Sequence, residues 1–382
     1  MVMTKMNKMT TSQKWPTISM MKNSVSESFR RNPTNLKHII PLDFNNVSNL
    51  PDSHTWNSSP HERRVILDFT QEPVPVINLE HPQAPELIRR ACEEWGVFHL
   101  INHGIPITLL NEMEKQTRRL FALPTKHKLL AVRSPDGLTG YGLARISAFF
   151  QKLMWSEGFT IIGSPEQHAS KLWPHDHTHF CSIMEEYQKL MKGLSQKIIR
   201  LMLMSLGLTN RDLKWFKPKT RSALQAQSAL QLNSYPVCPD PDEAMGLAPH
   251  TDSSLLTLLY QGNINGLQVL KENLGWVPVE PVSDSLVVNV GDLMHITTNA
   301  LFKNVLHRAA VNKTRHRISV AYFYNPPKNT KISPLTKLTD VDHPPLYRAV
   351  TWEEYLDAKA THFNKALDWI RCEEHTAANR CK

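Results

Sequence analysis

The chain has 382 residues, 41% hydrophobic and 21% charged, a composition typical of a globular protein with about two domains. Its longest apolar stretch, residues 198–208, is interrupted by Arg200 and Ser205 and is shorter than the roughly 18 residues that a membrane-spanning helix needs. The formal net charge is +9, but residues 1–40 carry seven Lys or Arg against one Glu. A basic tail on a nearly neutral body argues against nucleic-acid binding.

The cysteines and the N-terminus bear on the cellular compartment. The five cysteines are scattered and form no CxxC pair, which excludes a disulfide framework and a zinc ribbon. The N-terminus lacks the apolar core of a secretory signal. We therefore expect a cytoplasmic protein, with the nucleus as an additional location, that binds neither nucleic acid nor membrane.

The first part of the chain is predicted to be a flexible arm followed by a mixed helical domain. Residues 1–70 show no sustained hydrophobic period and are rich in Asn, Ser and Pro, so we expect the arm to span them. The mixed helical domain is predicted for residues 71–220. Its expected elements are strands at 74–79 and 97–101 and helices at 84–95, 109–121 and 182–206.

After about residue 220 the pattern changes to short strands separated by turn residues. The predicted strands are residues 229–235, 255–260, 266–270, 276–279, 285–290, 304–311 and 317–324. Their spacing is typical of an antiparallel sandwich or a closed barrel. We therefore predict an α+β protein with a β-barrel domain over residues 221–330. A C-terminal helix at 352–370 and a tail complete residues 331–382.

Two histidines and an aspartate are spaced to share one face of this β-rich part. His250 and Asp252 are two residues apart, and residues i and i+2 of a strand point to the same side. His307 lies in a later predicted strand. Two imidazoles and one carboxylate on a β scaffold match the facial triad that holds non-haem Fe(II) and leaves coordination positions open. We therefore predict a metal site at His250, Asp252 and His307.

Further polar residues are predicted to point into the same barrel. Arg317 and Ser319 share one strand face while Ile318 takes the other, and Asn233 and Tyr235 share a face of an earlier strand. A guanidinium beside a hydroxyl suits a carboxylate, because the guanidinium fork donates to both oxygens. A barrel interior with this many polar groups needs a ligand to satisfy them.

These motifs resemble those of the plant 2-oxoglutarate- and Fe(II)-dependent dioxygenases. The resemblance covers about residues 73–327 and rests on HxD at 250–252 with His307, RxS at 317–319, WGVF at 95–98, NHG at 102–104 and NSYP at 233–236. It implies a double-stranded β-helix, or jelly-roll barrel, flanked by helices, and a monomer. It also implies that the three metal-site residues hold Fe(II), that O2 is a co-substrate and that ascorbate supports activity. The residues implied for 2-oxoglutarate are Arg317, Ser319, Tyr235 and Asn233.

Within these dioxygenases the sequence looks most like the gibberellin 3-beta-dioxygenases. The similarity rests on LPDS at 50–53, GYGLARIS at 140–147, LMWSEGFT at 153–160 and YPVCPDPD at 235–242. It implies that a diterpenoid acid, a gibberellin precursor, is hydroxylated at carbon 3 on its β face to give a bioactive gibberellin. The residues assigned to this substrate are Tyr141, Arg145, Trp155 and Glu157, with Tyr141 and Arg145 nominated for its carboxylate.

Two alternative functions and one alternative metal site stay open. The chain could be a sister dioxygenase acting at another gibberellin position or on a flavonoid or other plant metabolite. It could also be a catalytically silent β-barrel that binds a small acid. His175, His177 and His179 alternate and would form a second metal site if extended. Their position before the long helix instead favours surface histidines beside a cap at Asp176 or Thr178.

Overall fold

The computed structural model describes residues 34–56, 73–209, 228–272 and 274–372. The rest of the predicted arm, the junction of the two predicted domains and the end of the tail lie outside the described residues, so the domain boundaries stay predictions. The α-helices of the described residues are α1 (Ala84–Glu94), α2 (Ile107–Phe121), α3 (Thr125–Lys128), α4 (Glu166–Leu172), α5 (Thr178–Met204), α6 (Asp292–Thr297), α7 (Trp352–His362) and α8 (Ala366–Trp369).

Strands within the same ranges form two larger sheets and a small ribbon. They are β1 (Val76–Asn78), β2 (Val97–Ile101), β3 (Gly140–Gly142), β4 (Glu157–Ile161), β5 (Ser228–Tyr235), β6 (Leu247–His250), β7 (Leu256–Tyr260), β8 (Leu267–Lys271), β9 (Gly275–Pro278), β10 (Leu286–Val290), β11 (His307–Ala309), β12 (Arg317–Tyr324), β13 (Lys331–Ile332) and β14 (Val350–Thr351). The major sheet has the order β1-β2-β10-β7-β12-β5-β4-β3, and the minor sheet has the order β6-β11-β8-β9. Strands β13 and β14 pair separately.

Alternation along β12 shows how the major sheet is covered on both faces. Ile318 and Val320 belong to the hydrophobic core that also contains the buried stripe of α5, and α2 and α5 pack against this strand. Arg317, Ser319 and Ala321 point the other way and border a cavity that residues of the minor sheet also line. The two sheets therefore form a jelly-roll barrel flanked by helices, which confirms the predicted fold.

Residues 34–56 pack against the body, so the prediction of a flexible arm is wrong for this part. They contain three short 3-10 helices, at Leu36–His38, Phe44–Asn46 and Asp52–His54. The ring of Phe44 meets Trp155 edge to face, with centroids 4.9 Å apart. The indole Nε1 of Trp56 donates to the carbonyl oxygen of Leu153 at 2.8 Å. A few spaced aromatic residues anchor the segment. They form no hydrophobic period, so a segment rich in Asn and Pro is predicted to be flexible from its composition.

The predicted C-terminal helix is broken in the middle. Helix α7 ends at His362, and Phe363 adopts a φ of 49°, in the left-handed region. A bulky residue is strained there. The ring of Phe363 stacks on Phe149 with centroids 4.5 Å apart, and this contact offsets the strain. Helix periodicity alone does not reveal such a tertiary contact.

Two other features of the described residues bear on the sequence predictions. None of their helices combines the length and apolarity needed to cross a membrane. Cys92, Cys181 and Cys238 are buried free thiols, and Cys372 is disulfide-bonded.

Candidate metal centre and adjoining cavity

The three predicted metal ligands meet where β6 and β11 pair. His250 is the last residue of β6 and His307 the first of β11, and their Cα atoms face each other across the two antiparallel strands. Asp252 follows β6 by two residues. One ligand atom from each side chain lies within 4.8 Å of the other two. Strand pairing thus joins residues that are far apart in sequence.

Backbone hydrogen bonds fix the orientation of both imidazole rings. Nδ1 of His250 lies 2.9 Å from the carbonyl oxygen of Ala248, and Nδ1 of His307 lies 3.1 Å from that of Val305. Because a carbonyl oxygen only accepts, both Nδ1 atoms carry the hydrogen, and in the neutral form of each ring Nε2 then presents a lone pair. Burial, followed by the neighbouring His307, lowers the pKa of His250, which keeps its ring neutral at physiological pH.

Asp252 completes a donor set that fits a divalent cation. Its Oδ1 atom lies 3.6 Å from Nε2 of His250 and 3.7 Å from Nε2 of His307, beyond hydrogen-bond distance. Its buried Oδ2 atom has no hydrogen-bond partner among the described residues. A buried carboxylate oxygen without a donor is unfavourable. Two imidazole lone pairs and this carboxylate therefore suit Fe(II).

A second buried carboxylate, Asp292, supports the loop that carries these ligands. Its backbone N–H donates to the carbonyl oxygen of Asp252 at 2.8 Å. Its Oδ2 atom accepts from Thr251, Tyr355 and Lys359 at 3.2, 2.7 and 2.8 Å. Burial, the largest single influence, raises the pKa of Asp292, but the Lys359 charge and the hydrogen bonds from Lys359, Tyr355 and Asn304 together outweigh it, and the net shift is downward. Helix α7 is thereby fastened to the metal loop.

The predicted anion-binding residues are paired across β5 and β12. Arg317 faces Tyr235 and Ser319 faces Asn233 in the antiparallel register. Arg317 is 2% exposed, its Nε atom donates to the carbonyl oxygen of Ile264 at 3.1 Å, and its guanidinium lies 5.0 Å from the centre of the Tyr235 ring. Nδ2 of Asn233 donates to Oγ of Ser319 at 3.4 Å. This arrangement holds a fixed cation among hydroxyl groups.

The metal ligands and the Arg317 group border one cavity of about 920 Å³ between the sheets. Polar residues from the barrel form part of its wall. The apolar residues that line it include Leu138, Ile146, Phe149, Leu259, Leu267, Phe323, Leu356 and Phe363. A metal site and a fixed cation in a largely apolar cavity can bind an oxidisable apolar molecule together with a small acid.

Comparison with known proteins agrees with this geometry. Residues 226–326 match the 2OG-Fe(II) oxygenase superfamily, and residues 74–178 match the N-terminal domain described as non-haem dioxygenase in morphine synthesis. "Gibberellin 3-beta-dioxygenase 3" of Arabidopsis thaliana is 57% identical over 91% of this chain and 99% of that protein. The chain belongs to the 2OG-Fe(II) oxygenase superfamily. "Gibberellin 3-beta-dioxygenase 1" of Pisum sativum is 52% identical to this oxygenase over 91% of its chain and 94% of that relative.

Solved structures share the fold of this oxygenase. A structure of JOX2 in complex with 2OG, Fe and JA has a TM-score of 0.68 and 30% identity, covering 81% of this chain and 89% of that one. A dioxygenase for auxin oxidation from rice has a TM-score of 0.63 and 27% identity, covering 78% and 99%. The first structure holds JA and the second protein is described as acting in auxin oxidation, so the shared fold alone leaves the substrate open.

Of the four residues assigned to the substrate, Arg145 borders the cavity of the oxygenase. Tyr141 does not, because strand alternation turns it to the helix side. In the register it pairs with Phe159, which pairs with Leu232, and all three belong to the core against the helices. Glu157 lies two residues before Phe159 and shares its face. The assignments of Tyr141 and Glu157 to the substrate were therefore wrong.

Glu157 instead holds a buried polar cluster together. Its Oε2 atom accepts from Lys128 and from the hydroxyl of Tyr141, each at 2.6 Å, and its Oε1 atom accepts from Ser234 at 3.2 Å. Burial, followed by the Glu157 charge, raises the pKa of Tyr141 far above its ordinary value. Tyr141 therefore stays protonated and serves as a donor. This cluster is structural.

Trp155 is likewise a packing residue and not part of the cavity wall, so its assignment to the substrate was also wrong. It is fully buried, and its indole Nε1 donates to the carbonyl oxygen of Pro236 at 3.1 Å. Its ring packs against Phe44 and His54 of the N-terminal segment. A large aromatic residue in a motif that resembles a family's can serve in packing or in substrate binding, and only the observed contacts distinguish the two roles.

Sequence reasoning missed three charged residues around the cavity of the oxygenase. Lys359 of α7 and Arg133, between α3 and β3, border it, and Asp292 anchors Lys359. Arg133 precedes the turn-forming residues SPDG at 134–137, Asp292 follows a glycine, and Lys359 lies in an ordinary helical pattern. No spacing signal links any of them to the metal motif.

The alternating histidines around the start of α5 do not form a second metal site. Nε2 of His177 lies 2.8 Å from Glu166, and Nε2 of His179 lies 2.9 Å from Glu112, so the two rings have separate partners. The expected cap is also absent. The N-cap position of α5 is His177, which makes no side-chain capping bond, and Asp176 pairs with Arg119 at 2.6 Å.

Proposed function

We propose that this oxygenase hydroxylates a gibberellin precursor at carbon 3, on its β face, with Fe(II), 2-oxoglutarate and O2. The observation that carries the proposal is the intact triad and Arg317 group within a chain 57% identical to "Gibberellin 3-beta-dioxygenase 3" over almost its whole length. The large and mostly apolar cavity suits a polycyclic acid.

His250, Asp252 and His307 are the metal ligands in this proposal. When bound, Fe(II) supplies the redox chemistry that couples oxidative decarboxylation of 2-oxoglutarate by O2 to hydroxylation of a C–H bond, with succinate and CO2 as the other products. The carbonyl oxygens of Ala248 and Val305 hold the two imidazoles with Nε2 towards the metal. Asp292 keeps the Asp252 loop in place through a backbone hydrogen bond, which makes it a positioning residue.

Arg317, Ser319, Tyr235 and Asn233 form the proposed 2-oxoglutarate site. The Nε atom of Arg317 is already bonded to the carbonyl oxygen of Ile264, so its terminal nitrogens are the ones that face the distal carboxylate. Burial of this cation removes water that would weaken the contact. The co-substrate is thereby held in one orientation, and the C–H bond of the second substrate must approach from the apolar side of the cavity.

The test is turnover of gibberellin precursors by the purified full chain. The enzyme is reconstituted anaerobically with Fe(II), 2-oxoglutarate and ascorbate, exposed to air, and supplied with precursors that lack oxygen at carbon 3. Mass spectrometry against authentic 3α- and 3β-hydroxylated standards identifies the product, and succinate is quantified in parallel. We expect one 3β-hydroxylated gibberellin per succinate.

Other outcomes separate the alternative functions. Succinate release coupled to a hydroxyl at another gibberellin carbon, or to a flavonoid, would support a sister dioxygenase. If no acid raises succinate release above the background level, the result would support a catalytically silent binding protein.

We also propose that the oxygenase is a cytoplasmic monomer that binds no nucleic acid. A fluorescent fusion in plant cells tests the compartment, and light scattering of the purified chain tests the oligomeric state. Exclusion of the fusion from the cytoplasm, or a mass of twice 43.7 kDa, would overturn the respective statement.

A further inference from the structure

Arg133 carries a buried guanidinium that the described residues leave unsatisfied. The residue is 3% exposed, and its Nε and Nη2 atoms are buried without a hydrogen-bond partner. Burial lowers the pKa of Arg133 to about 10, so the cation persists at pH 7. A buried unpaired cation is strongly unfavourable, and an anionic ligand would remove that cost.

The register of the major sheet locates this guanidinium in the cavity. Ser319 pairs with Asn233, Asn233 with Gly158, and Gly158 with Gly142, so the four residues form a row across β12, β5, β4 and β3 on one sheet face. Ser319 and Asn233 border the cavity. A Cβ atom built on Gly142 would lie 3.7 Å from Cζ of Arg133. The guanidinium therefore lies over the β3 end of this row, three strand spacings or about 14 Å from Ser319.

Two glycines form the β4 and β3 end of this row, and other parts of the chain pack closely against both. A Cβ atom on Gly158 would come within 2.5 Å of Nε2 of Gln231, and one on Gly142 within 2.8 Å of the carbonyl oxygen of Ile39. The side chain of Gln231 and the backbone of Ile39 therefore lie directly against the two glycines, and neither position has room for a larger residue. Gln231 and Arg133 both border the cavity.

Arg145 adds a second cation at the same end. It borders the cavity, and its Nη1 atom donates to the carbonyl oxygen of Gly137 at 2.6 Å. Burial, followed by the charge of nearby Arg133, lowers the pKa of Arg145 to about 9. Two arginines that repel each other in a partly apolar enclosure are stabilised by an anion between them.

We propose that Arg133, supported by Arg145, binds the carboxylate of an apolar acid substrate at the β3 end of the cavity. This inference rests on the proposed function, because it names the group by which the gibberellin is held. The 2-oxoglutarate carboxylate has its own cation in Arg317, on β12. Two separate anion sites would fix the two acids in different places and prevent either from taking the other's position.

The experiment measures binding rather than turnover. The full chain loaded with Fe(II) and 2-oxoglutarate under argon is titrated calorimetrically with a gibberellin precursor and with its methyl ester. We expect the wild type to prefer the acid by about 10- to 100-fold, because a charge-assisted bidentate contact is lost in the ester. Arg133→Met should abolish that preference, because it should lower the affinity for the acid and leave the affinity for the ester unchanged. Arg90→Met, which removes an exposed cation on α1, is the matched control and should change neither affinity.

Thermal stability distinguishes a ligand-binding role from a structural one. Methionine fills a similar volume and removes a buried charge without a partner, so Arg133→Met should melt at or above the wild-type temperature. Affinity for 2-oxoglutarate should be unchanged. A lower melting temperature together with equal weakening of acid and ester would overturn the proposal, as would an unchanged acid preference.

The outcome of this binding test can be distinguished from the outcome of the test for hydroxylation at carbon 3. If gibberellins bind but carry no new hydroxyl at carbon 3, a selective loss of acid affinity in Arg133→Met still supports the carboxylate site while the reaction assignment fails. If no gibberellin binds, abietic acid and its methyl ester, a resin acid pair of similar size, replace them. Absence of an acid preference in that pair as well would overturn the carboxylate site.

Discussion

A methyl group added at Gly266 should weaken 2-oxoglutarate binding without touching the co-substrate. A Cβ atom there would lie 2.8 Å from Cδ and 2.9 Å from Nε of Arg317, and 3.0 Å from the carbonyl oxygen of Ala310. Ordinary carbon contacts are about 3.5–4 Å, so the Arg317 side chain must shift by roughly 1 Å. That shift strains its hydrogen bond to Ile264 and its stacking on Tyr235.

Gly266→Ala should therefore change two measurable quantities. Overpacking of this kind costs about 1–3 kcal/mol of stability, measured by urea unfolding. Misalignment of the guanidinium should raise the KM for 2-oxoglutarate by about tenfold or more, at saturating second substrate. Gly193→Ala is the control, since Gly193 lies exposed inside α5 with no atom within 4 Å of the added methyl. It should gain about 0.5–1 kcal/mol and leave the KM unchanged.

A wild-type KM for 2-oxoglutarate in Gly266→Ala would show that Arg317 is not displaced in the way proposed. An equal rise of the KM in both alanine variants would also contradict the prediction, because the effect would then not pass through Arg317. A drop in kcat alone would indicate disturbance of the metal centre instead.

Three further substitutions test the metal centre, the 2-oxoglutarate group and the buried cluster around Glu157. His307→Ala should abolish turnover and the rise in melting temperature caused by Fe(II), whereas His175→Ala, at an exposed histidine, should keep both; metal stabilisation retained in His307→Ala would refute the ligand assignment. Arg317→Met should raise the 2-oxoglutarate requirement by about 10- to 100-fold in steady-state kinetics, and an unchanged requirement would mean that another residue binds the co-substrate. Glu157→Gln should cost about 3–5 kcal/mol in urea unfolding because Lys128 is left buried and unpaired, and the double variant with Lys128→Met should recover most of it; equal stability of wild type and Glu157→Gln would contradict the buried pair.

The metal and co-substrate groups could be predicted because each contains polar residues two positions apart, and in a strand such residues lie on the same face. Arg317 and Ser319 lie on one face, as do Asn233 and Tyr235, and the register joins the two pairs. What the sequence could not supply was the partner strand. The pairing of β6 with β11, which brings distant histidines together, follows from the closure of the barrel and not from local pattern.

The substrate residues could not be predicted, since their strands were not recognised. Strands β3 and β4 are short and contain glycines, so no alternation was visible from which to derive their facing. Tyr141 and Glu157 are polar residues in motifs that resemble those of the gibberellin 3-beta-dioxygenases, yet both side chains face the helices. Arg133 could not be singled out from the sequence. What distinguishes it is that its Nε and Nη2 atoms have no hydrogen-bond partner among the described residues, and hydrogen-bond partners depend on the tertiary structure.

The cavity wall is drawn from stretches of chain on both sides of the region that matches the oxygenase barrel. Residues 226–326 supply the triad and the 2-oxoglutarate group, whereas Ile146, Phe149, Leu356 and Phe363 come from outside that range. The metal and 2-oxoglutarate groups thus lie within the matched range, whereas part of the apolar wall lies outside it. Substitutions outside residues 226–326 can therefore change which acid the cavity accepts, while the barrel retains its metal and co-substrate sites.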